Sequence, residues 1–245
     1  MLFCQNCEVT LLVALNMSDP EGGGLVRVKY SAVWKGSVVD YLREHRNIQD
    51  VYYKTTAELA AALQLTESCG AAPVVEDGKV AGNVAARIVS DDVDVLVVSR
   101  SGRQALQSFS AHDQFCIVTG FDAAQWSVDY YGRDASTLPT SDVPLHHAVL
   151  HAADEFNWDS TPYASLHGHA LETSEQAQRL GLPCSVKETL FSTSDDMYEL
   201  LSLVKQHPFP LHRVYVRKGH GFVVLGTTVA EAVEIFNANV KPFIA

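Results

Sequence analysis

The sequence predicts an α/β (α+β) fold in which a largely antiparallel central sheet is flanked by helices. Three observations predict it. Stretches with period-two alternation and stretches with helical spacing interleave along the chain instead of falling into separate blocks. Neighbouring strand candidates such as "NVAARIV" and "VDVLVVS" are joined by too few residues for a parallel crossover. A chain of 245 residues, 47% hydrophobic and 19% charged, has the length and composition of a soluble globular protein with a sizeable core.

Residues 1–24 read as an N-terminal extension or edge strand, and 25–245 as a single domain. The opening "MLFCQNCEVTLLVALNMS" is apolar but lacks a basic n-region and carries Glu8, unlike a secretory signal. "MSDPEGGGL" has the glycines and proline of a flexible link. "LVRVKYSAVW" then alternates as a strand. "SVVDYLREH" and "TTAELAAALQL" have helical spacing, the second opened by a threonine cap with Glu58 near its start. Four short strands follow: "NVAARIV", "VDVLVVS", "FCIVTGF" and "QWSVDYY". "SDVPLHHAVLHAADEF" is a helix with Ser141 as cap, Asp142 in the first turn and Pro144 near the start. "SEQAQRLG" is a helix closed by Gly181, and "SDDMYELLSLVKQ" is another, with Tyr198 expected to pack. "RVYVRKGHGFVVLG" is a strand pair or bent strand, and "TTVAEAVEIFNANV" the last helix.

Net charge of −11 argues against a nucleic-acid surface, and no apolar run approaches the ~18 residues of a membrane span. An anionic small substrate would need a local source of attraction, such as a metal, backbone N–H groups or a nearby Arg. The five cysteines form no regular framework, which points to a reducing, cytoplasmic setting; Cys4 and Cys7 make a lone CxxC.

The chemistry rests on histidines. His147 and His151 share a helix face at i, i+4, but "HHAVLH" lacks the Glu of HExxH and reads as a surface feature. His167 and His169, in "YASLHGHALETS", are i and i+2 on an extended segment and so point to one side. They are either two ligands of one metal or polar residues at a strand end. A catalytic zinc needs three protein ligands and an open position, and His220, between Gly219 and Gly221, is a candidate third.

Five segments, in register, resemble the class II aldolase/adducin family. "GKVAGNVAAR" is similar to its Gly-Asn-Ile-Ser-x-Arg segment and "LVVSRSG" to its Ile-Thr-Pro-Ser-Gly turn. "LPTSDVPLH" is similar to its Pro-Ser-Ser-Glu/Asp run, "LHGHA" to its His-x-His, and "VYVRKGHGFVVLGTTVAEA" to the segment with the third ligand and last helix. The match runs from about residue 78 to the end. It implies a three-layer αβα fold and a zinc held by His167, His169 and His220. It also implies a phosphate pocket of Asn83, Ser101, Gly102, Thr140 and Ser141. Taken singly, Asn83 and Gly102 are ordinary turn residues.

Asp142 stands where aldolases of the family have a Glu base and where its sugar-phosphate 4-epimerases have Asp. The resemblance therefore implies retro-aldol cleavage of a phosphorylated ketose through a metal-stabilised enediolate, with Asp142 as base. Epimerase or dehydratase chemistry at the same metal, or a non-catalytic adducin-like interaction module, are the alternatives. It also implies a homotetramer acting in carbohydrate metabolism. The tyrosine acid of the family's aldolases has no counterpart between the His-x-His and "GLPCS".

Overall fold

The computed structural model describes residues 29–75, 77–105 and 111–244. Residues 1–24, with Cys4 and Cys7, lie outside them, as does the start of the first expected strand. The elements are β1 (Ser31–Ser37), α1 (Val38–Glu44), α2 (Gln49–Ser68), β2 (Gly82–Ser90), β3 (Val93–Ser99) and α3 (Ala111–Gln114). They continue as β4 (Phe115–Asp122), β5 (Ser127–Gly132), α4 (Val143–Phe156), β6 (Ala164–Gly168) and α5 (Ser174–Leu180). The last four are α6 (Ser194–Gln206), β7 (Val214–Arg217), β8 (Gly221–Gly226) and α7 (Val229–Asn239).

The eight strands form a sheet in the order β1-β5-β4-β3-β2-β6-β8-β7. Only β1 and β5 pair in parallel; the other neighbours are antiparallel. Alternation along each strand sends successive side chains to opposite faces. Val84, Ala86 and Ile88 of β2 and Phe222 and Val224 of β8 pack with α1, α2 and α7. Ala85, Val223 and Leu225 pack on the other face with α4 and α6. Two cores with a sheet between them make the three layers.

This parity also decides where the polar residues go. On β6, Ala164 and Leu166 face the α2/α7 core, so Ser165 and His167 face α4. Asn83 is the register partner of His167 on the neighbouring β2 and shares that face. The site thus lies at one end of the sheet, beside the N-terminal end of α4.

Three local expectations are corrected. First, α2 starts at Gln49, so Thr55 is interior rather than a cap and Glu58 is mid-helix. The buried stripe Tyr52, Thr56, Leu59, Leu63 and Thr66 has helical spacing and carries the helix upstream of the local cap signal. Second, Ser141 does not cap α4. Asp142 occupies the cap position, but its carboxylate makes no capping bond and turns into the site. Third, Tyr198 lies on the outer face of α6 and is exposed rather than packed. By contrast, α5 has a complete capping box from Thr173 and Gln176 and ends at a left-handed Gly181. No described helix is long and apolar enough to cross a membrane.

Candidate metal centre and substrate pocket

His167 is near the end of β6, His169 one residue past it, and His220 in the β7–β8 turn. The hairpin turn is tight because Gly221, at φ +143, lies against the Gly168 carbonyl, where a side chain would collide. Gly168 is equally constrained: a Cβ there would meet the Ala71 carbonyl and the Phe222 ring. These glycines bring the two backbones together and gather the three rings around one point, tilted or edge-on to one another.

The ring centroids of His167, His169 and His220 are 4.8, 5.0 and 5.0 Å apart, and one nitrogen from each lies within 4.8 Å of the others. His167 Nδ1 donates to the Phe222 carbonyl at 2.7 Å. Its Nε2 therefore carries the lone pair, and that atom is 3.2 Å from His169 Nε2. In tetrahedral ligation at about 2.0–2.1 Å per bond, ligand nitrogens lie roughly 3.3 Å apart. Burial, the largest influence on both, holds His167 well below and His169 below the usual imidazole range, so both are neutral as ligands require. The donor set fits a divalent ion.

Asp142 closes the group. Its Oδ2 is 3.5 Å from His167 Nε2 and accepts from Asn83 Nδ2 at 2.9 Å, while Oδ1 accepts from Ser192 Oγ at 2.7 Å. Burial acts to raise this carboxyl. The opposing influences are, largest first, the neighbouring His167, the Arg217 charge and the Asn83 and Ser192 hydrogen bonds. They win and hold Asp142 ionised below the usual carboxylate range.

The Asn83 amide is itself fixed. Its Oδ1 is 2.6 Å from His146 Nε2, and His146 Nδ1 is 2.5 Å from Ser165 Oγ. An amide oxygen only accepts, so His146 carries its proton on Nε2 and takes the Ser165 hydroxyl proton at Nδ1. The chain Ser165–His146–Asn83–Asp142 has one direction and turns the Asn83 NH2 toward the carboxylate. Burial lowers His146 to about 4, so this tautomer is the neutral one.

A cavity of about 250 Å³ opens in front. Asn83, Ser101, Gly102, Thr140, Ser141, Asp142, His169 and His220 line it, together with Arg100 and Ser192. His167 forms the wall behind, buried against Asp142. The structure thus brings Asn83, Ser101, Gly102, Thr140 and Ser141 to the same cavity as the histidines. Gly102 is left-handed at φ +67, which bends the turn around the cavity. The half-buried Arg100 is a cation that the sequence reading did not single out. His147 and His151 lie elsewhere on α4, their rings stacked at 4.1 Å. No tyrosine is among the residues lining the cavity.

This arrangement of sheet and helices is the class II aldolase fold. The chain is similar to a sugar-phosphate aldolase from Thermotoga maritima at 15% identity and TM-score 0.53, over 82% of this chain and 94% of that one. It is similar to an aldolase II superfamily protein from Pseudomonas syringae at 16% identity and TM-score 0.53, over 83% and 76%. YgbL from Klebsiella pneumoniae, a candidate aldolase/epimerase/decarboxylase, aligns at 16% identity and TM-score 0.52, over 79% and 87%. No family model and no curated protein matches the sequence. The structural alignments cover more of the chain than the two thirds over which the motifs run.

Proposed function

We propose that this chain is a divalent-metal-dependent lyase that cleaves a phosphorylated ketose or similar sugar by retro-aldol chemistry. What carries the reading is three imidazoles converging beside an ionised, hydrogen-bonded Asp142 at the wall of one cavity. His167, His169 and His220 are the residues that would hold the ion, taken as zinc by resemblance. When bound, such an ion supplies a Lewis acid for an oxygen that gains negative charge in the transition state.

Asp142 acts as the base, taking the proton from the hydroxyl beyond the scissile carbon–carbon bond. The Asn83 and Ser192 bonds fix its two oxygens so that no reorientation is needed at that moment. The substrate phosphate sits against Ser101, Gly102, Thr140 and Ser141, where hydroxyls and a left-handed glycine turn suit an anion. Asn83 has one N–H left for it, because its other amide bonds go to Asp142 and His146. We take the enzyme to act in the cytoplasm, from its irregular cysteines, and as a homotetramer, from the family resemblance.

Asp142 is one methylene shorter than the Glu of the family's aldolases, which favours 4-epimerisation as a second reading. Triose release from a panel of ketose phosphates, run beside interconversion of pentulose phosphates, separates the two. Asp142→Asn keeps the shape and removes the charge, and loses about 10²–10⁴-fold in rate. Wild-type inactivity throughout the panel overturns both readings and leaves an adducin-like module.

A further inference from the structure

Behind His220 lies a buried ion pair that the proposed chemistry does not use. Asp196 comes from α6 and Arg217 from the end of β7; both side chains are buried, with Arg217 Nη2 2.8 Å from Asp196 Oδ2. The same Nη2 is 2.9 Å from His220 Nε2. A guanidinium only donates, so Nε2 is the bare nitrogen of His220 and the ring proton is on Nδ1. Nδ1 is buried without a well-directed hydrogen bond, and Asp196 Oδ2 is the carboxylate oxygen beside it, at 3.3 Å. His167 has the same tautomer, set by the Phe222 carbonyl.

Asp196 also reaches Asp142. It accepts from the Ser192 N–H at 2.9 Å and from Thr189 Oγ1 at 3.1 Å. Ser192 is held left-handed at φ +58, costly for a residue with a Cβ, and from there its Oγ donates to Asp142.

We infer that Asp196 and Arg217 are positioning residues for the site: they select the Nε2 lone pair of His220 for an ion and, through Ser192, hold Asp142 beside it. The inference rests on the metal reading above. An ion at Nε2 displaces the Arg217 N–H from that lone pair, and the guanidinium stays held by its bond to Asp196.

The test uses zinc alone, with its dissociation constant measured against a chromophoric chelator, and urea unfolding as a separate readout. Asp196→Asn weakens zinc binding about 10–100-fold, the usual effect of losing a partner that orients a metal ligand. Because Asp196→Asn strands the Arg217 charge, the double variant Asp196→Leu/Arg217→Met is run beside it, since apolar side chains at both positions leave no buried charge unpaired. It too binds zinc 10-fold or more weakly, and long-range 1H–15N spectra show His220 losing its single Nδ1–H tautomer. A folded double variant that binds zinc within threefold of wild type overturns the inference and leaves the pair a purely structural one. A wild-type chain that binds no zinc sinks the metal reading, and this inference with it.

Discussion

Replacing His146 with alanine tests the directed hydrogen-bond chain behind Asp142. The substitution takes the partner from two buried groups at once, Asn83 Oδ1 and Ser165 Oγ, bonded to the ring at 2.6 and 2.5 Å. A buried polar group left without a partner costs about 1–3 kcal/mol. Two give about 2–6 kcal/mol, before any contribution from the space the ring vacates. The loss extends to orientation. Without the His146 N–H, nothing on that side distinguishes the Asn83 oxygen from its nitrogen, and the flipped amide sets an oxygen against the Asp142 carboxylate. His146→Gln can still donate to Asn83 and recovers part of the loss. Urea unfolding at pH 7.5 measures all three proteins, and the amide resonances of Asn83 report whether its environment is single or mixed. A His146→Ala protein less than 1 kcal/mol below wild type, with one unshifted Asn83 signal, would refute the chain as described.

Other outcomes follow from the same structure. Stability falls as the pH drops from about 6.5 toward 4. Buried His146 and half-buried His147 are both lowered to about 4, so below the ordinary imidazole pKa the unfolded chain binds protons that the folded chain refuses. For His146 alone the loss between pH 6.5 and 5 is about 1.6 kcal/mol; a urea midpoint unchanged across that range contradicts it. Gly221→Ala places a methyl group against the Gly168 carbonyl at a left-handed position. It destabilises the chain by more than the roughly 1 kcal/mol of an ordinary Gly-to-Ala backbone change and weakens zinc binding; a neutral outcome on both sinks the account of the hairpin turn.

Much of this arrangement was legible in the sequence because short-range rules govern it. Alternation along "ASLHG" decides which face His167 takes, and the helical spacing of "SDDMYELLSLVKQ" delimits α6 to the residue. The antiparallel preference followed from connection lengths, and only the β1–β5 pair escaped it, because those strands are remote in the chain. What stayed hidden depends on tertiary partners. A threonine cap in front of "AELAAALQL" was a plausible local signal, but Tyr52 buried upstream overrode it. Ser141 looked like the cap of α4, whereas Thr140 Oγ1 accepts weakly from the Asp142 N–H at 3.4 Å and Asp142 holds the cap position with its carboxylate turned inward. Breaks of a local rule such as this one are expected at functional or strained positions. No motif singled out His146, Ser192, Asp196 or Arg217, although His146 and Arg217 lie within matched segments, since their contacts exist only once α4, α6 and β7 lie against the β6 end of the sheet.

Metal content of the purified chain, measured per polypeptide by elemental analysis after dialysis against zinc, bears most directly on the central claim. One zinc per chain is expected in the wild type, and less than a tenth of that in folded His167→Ala and His220→Ala proteins. A wild type without metal, or variants that retain a full equivalent, would contradict it.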